Sequence, residues 1–305
     1  MLDDGANDLL VGPLYLPATL AADFLENLGA HIASWVCVVI ILAPGDWPHI
    51  GVMLVAMRVH LAGRICLDLG DRVIDEGTLA GSQGRLVFAM LVAERRWAVS
   101  KDEIAEELWG ERPPSAWENA LRALISKIRA VLARAGCTDG AVVAQGLGCY
   151  QMSLPAGIWV DLEAAADAVH RAEAALRVDN ATDARGHAAV ALAVSRRPLL
   201  AGHEGRWVTR RREMLQSVRL RALDCSAAAL IASGDAVRAL VCAQEAVHVA
   251  PFRERGHRLI MRAHLAAGDR AEALRSYERL RLLLAEELGI PPARESECIY
   301  QQALS

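Results

Sequence analysis

The sequence lacks the residue patterns that mark the common enzyme and metal sites. It has nine histidines and seven cysteines, but no H-E-x-x-H motif and no Cys/His cluster with the spacing of zinc ligands. It has no nucleophile elbow, and the glycine-rich segment 77–84 lacks the lysine and the hydroxyl residue of a phosphate-binding loop. These absences predict a protein that is not an enzyme and that uses no metal and no cofactor.

The cysteines also lack a disulfide pattern. None belongs to a C-x-x-C pair and their number is odd, which is typical of unpaired thiols in a reducing compartment. We therefore expect a cytoplasmic protein in which most cysteines are small buried hydrophobic residues.

No segment has the length of a membrane span. The apolar run at residues 32–43 has 12 residues, whereas about 20 are needed to cross a bilayer. Acidic side chains precede it and no lysine or arginine does, so it is also a poor signal peptide. We expect no contact with a membrane. Two interpretations of residues 1–56 stay open: an upstream extension from a mis-called start, or a helix that interacts with a partner.

The bulk composition is that of a globular protein with room for two domains. Apolar residues make up 53% of the 305 residues and charged residues 23%, which excludes a disordered chain. The net charge is −4, so the chain as a whole is not a basic nucleic-acid coat. Any contact with DNA must come from a local basic patch on one domain.

Residues 100–136 predict two helices joined by a short break. The S-x-x-E pattern of a capping box occurs twice, beginning at Ser100 and at Ser115. In such a box the hydroxyl and the carboxylate satisfy amide groups of the first helical turn. Gly110 supplies a stop signal for the first helix, and we expect the second helix to end at Gly136.

The second helix has one apolar and one polar face. Its apolar residues recur every three or four positions; they are Leu121, Leu124, Ile125, Ile128, Val131 and Leu132. The opposite strip carries small and amide side chains with cations along both margins, an arrangement suited to the major groove of DNA. A solvated amphipathic helix gives the same pattern, so the helix alone leaves both interpretations open.

The segments around these helices favour a winged helix. Alternating apolar residues at 59–74 predict short antiparallel strands, and residues 85–95 predict a core helix. Residues 141–154 predict a β-hairpin around a glycine-rich turn. Strands, three helices and a hairpin are the layout of a winged helix-turn-helix domain, with the hairpin as the wing and Gln145 at its tip.

Beyond residue 161 the sequence is helical and contains an internal repeat. Gly234-Asp235 recurs as Gly268-Asp269, a spacing of 34 residues. This period is typical of tetratricopeptide-like helical hairpins, which stack because one hairpin cannot bury its apolar face alone.

Together these segments predict a mainly α fold with a small β component. We expect a winged helix-turn-helix DNA-binding domain at residues 57–155. An all-α, tetratricopeptide-like repeat domain follows at residues 156–305. Residues 1–56 lie outside both, as an extension of unknown role.

Several motifs carry a resemblance to a known family. The first domain has V-S-K-D-E-I-A-E-E-L-W-G at 99–110 and N-A-L-R-A-L-I-S-K-I-R at 119–129. The second has R-R-P-L-L at 196–200 and a long, specific motif at 267–292, A-G-D-R-A-E-A-L-R-S-Y-E-R-L-R-L-L-L-A-E-E-L-G-I-P-P. With these motifs the chain resembles the SARP-type transcriptional regulators over about four-fifths of its length. That family joins an OmpR-like winged helix to a bacterial transcriptional activation domain.

The resemblance implies an activator of biosynthetic genes that binds direct repeats in double-stranded promoter DNA and recruits RNA polymerase holoenzyme, with a homodimer on DNA as one arrangement. It makes the helix at 115–134 the recognition helix. The motif and the outward face together predict DNA contact by Asn119, Arg122, Ser126, Lys127 and Arg129. The predicted set also includes Arg134 at the edge of the same helix and Gln145 on the wing. Because the wing offers no cation, we expect weak contact with the minor groove. An interaction adaptor or a ligand-responsive regulator with little DNA affinity is the alternative.

Overall fold

The computed structural model describes residues 57–136, 143–154 and 157–305, together with three short strands in the first 56 residues. These strands are β1 (Tyr15–Leu16), β2 (Val38–Ile41) and β3 (His49–Val52), in one antiparallel sheet of order β1-β3-β2. Part of the apolar run is therefore extended at β2, which is contrary to a helix there. The remaining expectations for residues 1–56 lie outside the described residues.

The first domain begins with the predicted antiparallel strands. They are β4 (Arg58–His60), β5 (Cys66–Asp68) and β6 (Val73–Asp75). Val59 lies opposite Leu67, and Leu67 lies opposite Ile74. Because side chains alternate between the faces of a strand, Val59 and Leu67 both point into the core, where they are buried.

Three helices follow the sheet, as the sequence predicts. They are α1 (Gly81–Ala93), α2 (Lys101–Trp109) and α3 (Trp117–Arg134), with a short 3₁₀ turn, Glu76–Thr78, before the first. The capping box at Ser100 is confirmed: its hydroxyl accepts the Glu103 N–H at 3.1 Å, and the Glu103 carboxylate accepts the Ser100 N–H at 3.0 Å. Gly110 ends α2 with a φ of 64°, in the left-handed region that favours glycine.

The prediction of a second capping box, at Ser115, is wrong. Helix α3 starts at Trp117, and its N-cap, Ala116, makes no side-chain hydrogen bond. Ser115 lies in a turn in which the Pro114 carbonyl accepts the Trp117 N–H at 3.0 Å. That turn satisfies a first-turn amide through the backbone, so the helix begins one residue after the position that the S-x-x-E pattern suggests.

The predicted hairpin is present and forms the wing. Its strands, with the short strand before α2, are β7 (Val99–Ser100), β8 (Val143–Gly146) and β9 (Cys149–Met152), in the order β7-β9-β8. The turn has two residues, Leu147 and Gly148, with φ of 50° and 76°. Positive φ at both positions is what a tight hairpin turn requires.

The second domain is all helical after one short strand. Its elements are β10 (Trp159–Val160), α4 (Asp161–Arg177), α5 (Ala181–Ser195), α6 (Arg206–Ala232), α7 (Ala236–Val249), α8 (Glu254–Ala266), α9 (Arg270–Leu288) and α10 (Arg294–Leu304). Consecutive helices pack as hairpins, and α6 also packs against α4 and α8. This stacking and the helices before it confirm the predicted mainly α fold with a small β component.

The 34-residue repeat is the link between the helices of a hairpin. Gly234 and Gly268 end α6 and α8 with φ of 79° and 78°. Asp235 and Asp269 then act as N-caps, each with a side-chain oxygen that accepts the N–H three residues later, at 3.1 and 3.2 Å. The repeated Gly-Asp pair is therefore a helix stop followed by a helix start.

The two domains share one hydrophobic core. Strand β10 pairs in parallel with β4, so the second domain adds a strand to the sheet of the first. The Asp161 carboxylate at the start of α4 accepts the Leu61 and Ala62 N–H groups, both at 2.9 Å. The Gly63 N–H donates to the Pro198 carbonyl at 2.7 Å. These contacts, of which those to Asp161 are buried, hold the helical domain against the winged helix.

Candidate nucleic-acid interface

Helix α3 has sharply separated faces. All six residues of the predicted apolar stripe are buried, and the opposite side is exposed along the whole helix. With 18 residues the helix is about 27 Å long. The predicted contact residues on it are all exposed: Asn119, Arg122, Ser126, Lys127, Arg129 and Arg134.

The first turns of α3 bring an amide and a guanidinium together. Arg122 Nη1 donates to Asn119 Oδ1 at 3.1 Å. Glu118 lies 4.0 Å from Arg122 and also 4.0 Å from Lys101 at the start of α2. Because Asn pairs with the adenine edge and Arg with the guanine edge, this end of the helix carries two side chains that can read bases.

The middle of the exposed face is free. Within the described part of the chain, Ser126 and Lys127 have no side-chain hydrogen bond or ion pair. A hydroxyl of this size allows close approach to a groove, and an unpaired ammonium beside it suits a phosphate. These two residues are therefore available to a ligand without breaking an existing contact.

Arg129 has a partner inside the protein. Its Nε and Nη2 both donate to the Val143 carbonyl, at 3.2 and 2.7 Å. This arginine thus fastens the first residue of wing strand β8 to helix α3. Nη1 makes no hydrogen bond to the residues that the structure describes, so contact with DNA by Arg129 stays a prediction beside this structural role.

Arg134 and Gln145 lie at the far end of the helix and on the wing. Arg134 Nε donates to the Ala130 carbonyl at 3.3 Å, and the Arg134 carbonyl accepts from Arg72. Gln145 is exposed in β8 opposite Tyr150, two residues before the turn. The tip itself is formed by Leu147, whose side chain is fully exposed, so Gln145 is not at the wing tip as the sequence suggested.

The helical domain holds α2 by a carboxylate at a helix start. Glu107, on α2, is buried, and its two oxygens accept the N–H groups of Trp207 and Val208, each at 3.0 Å. These are the first turn of α6, where amides lack partners and negative charge is favoured. Helix α2, which packs against α3, is thereby attached to the longest helix of the second domain.

Two further carboxylates join the domains around Glu107. The Glu94 carboxylate accepts from Trp207 Nε1 at 2.7 Å and from Arg211 at 2.6 Å. Burial alone would raise the pKa of Glu94, but these hydrogen bonds and the charge of Arg211 outweigh it and lower the pKa. Hydrogen bonds from Arg95 lower the pKa of Glu163 in α4. Both groups are therefore ionised at neutral pH.

The carboxylates that join the two domains, Glu94, Glu107 and Glu163, were not identified from the sequence. Glu107 gives one signal that could have found it: it follows Ile104 by three positions, which places a carboxylate on the apolar face of α2. Its partners lie 100 residues away, and nothing local to either segment indicates the pairing.

Other kinds of site are not seen in the described residues. No group of three or more His, Cys, Asp and Glu side chains there is arranged to hold a metal ion. Nor does any helix in residues 57–136, 143–154 and 157–305 combine the length and the hydropathy needed to cross a membrane.

Comparisons with known proteins agree with both halves of the fold. The bacterial transcriptional activator domain matches residues 160–304. Regulatory protein AfsR of Streptomyces coelicolor is 33% identical over 224 residues, which is 73% of this chain and 22% of that protein. Transcriptional regulator RedD of the same organism is 28% identical over 239 residues, 77% of this chain and 67% of RedD. The chain therefore spans only about a fifth of AfsR and two-thirds of RedD.

A solved structure has the same fold. It is described as Mycobacterium tuberculosis EmbR in complex with a low affinity phosphopeptide, and it superposes with a TM-score of 0.73 at 24% identity. The match covers 82% of this chain and 65% of that one.

The fold and the exposed face of α3 define a class of protein: a winged helix joined through a shared core to a helical-repeat domain. Within that class, the matched activator domain at residues 160–304 and the named relatives point to one family. The chain is similar to the SARP-type transcriptional regulators.

Proposed function

We propose that the protein is a sequence-specific DNA-binding activator of biosynthetic genes. The observation that carries this proposal is the exposed face of α3, where Asn119 and Arg122 lie in contact beside the free side chains of Ser126 and Lys127. A helix that serves only as scaffold does not need base-reading and phosphate-binding side chains on one face. The names of the relatives, transcriptional and regulatory proteins, support the same function.

In the proposed complex α3 lies in the major groove. Asn119 and Ser126 face the base edges, and Arg122 lies at the margin, where it reaches a guanine or a phosphate. Lys127 and Arg134 bind phosphates on the other side. Arg129 supports the wing and contributes its remaining Nη1 to the backbone of the DNA.

The wing contributes little charge. Gln145 offers an amide to the sugar–phosphate backbone, and Leu147 at the tip is apolar and exposed. We therefore assign most of the sequence specificity to α3.

The partners follow from the family. We propose that the protein acts in the cytoplasm, binds direct repeats in promoters as a dimer, and recruits RNA polymerase through its helical domain. The shared core and the hydrogen bonds between the domains support this arrangement, because they connect a polymerase contact on the helical domain to the DNA-binding face.

Footprinting of the promoters beside the gene, followed by gel-shift titration, tests the proposal. A Lys127→Ala variant should weaken binding similarly on all sequences and reduce the slope of log K against log salt by about 1. Arg122→Ala should cost about 1–3 kcal/mol on the footprinted site and reduce discrimination between bases. Arg262→Ala, an exposed arginine of α8, is the control and should bind as the parent does.

The proposal is wrong if the unmodified protein leaves no footprint at low salt while it captures a protein partner. That result would favour the adaptor function instead. Equal DNA affinity of the parent and of an Arg122→Ala, Lys127→Ala double variant would reject α3 as the recognition helix.

A further inference from the structure

A second basic region lies far from α3 in the sequence. The loop after α5 and one side of α6 form a surface cleft of about 380 Å³. The end of α7 closes it. Within the described part of the chain, its lining includes four arginines and no acidic residue: Arg196, Arg197, Arg212 and Arg219. Four cations on one cleft repel each other unless something negative lies between them.

One carboxylate beside the cleft holds two of these arginines. The Glu245 carboxylate accepts from Arg196 Nε at 3.0 Å and from Arg219 Nη2 at 2.7 Å. Burial would raise the pKa of Glu245, but the hydrogen bonds from both arginines lower it. Glu245 is therefore ionised, and it brings two guanidinium groups together while it neutralises only one positive charge.

The other two arginines have no acidic partner among the described residues. Arg212 is held by carbonyl groups: its Nε donates to Leu199 and its Nη2 to Leu200, at 3.0 and 2.7 Å. Neutral carbonyls orient this guanidinium but leave its charge. The Arg197 side chain makes no hydrogen bond in the described part of the chain, and its stem lies over Gly63. The cleft therefore keeps three positive charges in excess, and Arg196, Arg212 and Arg219 each keep an Nη1 without a hydrogen bond to a described residue.

A buried hydroxyl at the edge of the cleft also has no partner. Ser195 is 6% exposed, and its Oγ makes no hydrogen bond to any residue that the structure describes. Buried polar groups in proteins are nearly always paired, because an unmade hydrogen bond costs free energy. The same residue lines the cleft, so a bound oxyanion could accept from this hydroxyl.

We propose that this cleft is a binding site for the phosphate group of a small molecule, held by Arg196, Arg197 and Arg219 with Ser195 at its edge. Guanidinium groups are matched to oxyanions in geometry as well as in charge. The loop that lines the cleft also pairs with the winged helix, since the Pro198 carbonyl accepts the Gly63 N–H at 2.7 Å. A phosphate bound there would stabilise the loop on which the domain contact rests.

Isothermal titration calorimetry on the full chain, without DNA, tests this site. The probes are inorganic phosphate and glycerol phosphate, each titrated at an ionic strength held constant with sodium chloride. We expect saturable binding with one site per chain. Tighter binding of glycerol phosphate would identify a phosphate ester as the ligand, and equal or tighter binding of inorganic phosphate would identify the free anion.

Two variants locate the binding. Arg197→Gln should weaken it about tenfold, since a charge-assisted hydrogen bond is lost. Ser195→Ala should weaken it several-fold, and because it deletes an unpaired hydroxyl it should not lower the midpoint of thermal unfolding. Arg262→Gln, an exposed arginine outside the cleft, should bind as the parent does.

Two results would overturn the proposal. The first is that phosphate produces no more heat than the same concentration of chloride. The second is equal binding of phosphate by the parent and by Arg197→Gln. If that variant also loses DNA affinity in a separate gel-shift titration, the cleft belongs to the DNA surface instead. Because no DNA is present in the titration, failure of the DNA-binding proposal leaves this test intact.

Discussion

The Glu107 carboxylate occupies the space that a side chain at Gly205 would need. A Cβ built at Gly205 would lie 2.5 Å from the Glu107 carboxyl carbon, and nearer still to one of its oxygens. The backbone of Gly205 is extended there, so the constraint comes from the close approach and not from backbone strain. The absence of a side chain at this position lets a carboxylate of the winged helix reach the first amides of α6.

Gly205→Ala should therefore destabilise the protein through Glu107. The carboxylate is buried and bound to two amides, so it cannot move aside without losing both bonds. We expect the free energy of unfolding to fall by about 1–2 kcal/mol, and by a similar amount for Glu107→Ala, which removes the cap. Urea unfolding measures both.

The double variant and a substitution at the adjacent residue, Glu106, provide the controls. Because both substitutions remove the same contact, Gly205→Ala with Glu107→Ala should cost much less than the sum of the two. Glu106→Gln loses only an ion pair with Arg206, whose side chain is 90% exposed, and should change stability by less than about 0.5 kcal/mol. Additive single effects would show that Gly205 acts independently of Glu107.

Arg129→Ala and Arg122→Ala should behave differently. Arg129 holds the wing through the Val143 carbonyl, so its loss should lower the free energy of unfolding by about 1 kcal/mol as well as DNA affinity. Arg122 is bound only to neighbours on the exposed face, so its loss should lower affinity and leave stability unchanged. Urea unfolding and gel-shift titration of both variants separate the two roles. Unchanged unfolding of Arg129→Ala would mean that its contact with the wing contributes little.

The features predicted from the sequence are those with a local period or a local signal. The faces of α3, the box at Ser100 and the 34-residue repeat of Gly-Asp pairs all depend on residues a few positions apart. The hairpin was also predicted, because a glycine-rich turn between two short apolar runs is a local pattern.

The features that were missed depend on contacts between distant segments. The predicted capping box at Ser115 does not form, because the Pro114 carbonyl already accepts the Trp117 N–H in a backbone turn. The partner of Arg129 lies on the wing, 14 residues away, and helical spacing within α3 says nothing about it. Glu107 meets its partners 100 residues along the chain, so this contact between the domains could not be predicted from either domain alone.

The domain contact should weaken in acid. The pKa of Glu94 is lowered by Trp207 and Arg211 against the effect of burial, and that of Glu163 is lowered by hydrogen bonds from Arg95. A carboxylate whose folded pKa lies below its unfolded value contributes stability above the unfolded pKa, and the contribution is lost as the pH falls through the folded pKa. We expect the free energy of unfolding to decrease below about pH 4.3, the unfolded value for Glu.

A variant isolates these carboxylates from the others. Glu94→Gln with Glu163→Gln should be less stable than the parent at pH 7, and the difference should shrink as the pH falls toward 3. Asp161 should have the opposite effect on the pH dependence of stability, because burial raises its pKa in spite of three backbone hydrogen bonds. Both the parent and the double variant retain Asp161, so it does not enter the difference between them. A difference that stays constant between pH 7 and pH 3 would show that the charges at Glu94 and Glu163 do not stabilise the joint.

Glycine to alanine substitutions should have opposite effects at two positions in the helical domain. Gly268 has a φ of 78°, which costs an L-residue about 1–2 kcal/mol, so Gly268→Ala should destabilise by about that amount. Gly186 lies inside α5, is exposed, and has open space where a Cβ would go. There alanine gains helix propensity, and Gly186→Ala should stabilise by about 0.5–1 kcal/mol. Urea unfolding of both variants measures the sign. If both destabilise equally, the Gly-Asp pair would have no special role as a helix stop, and the 34-residue repeat would have to be explained by packing alone.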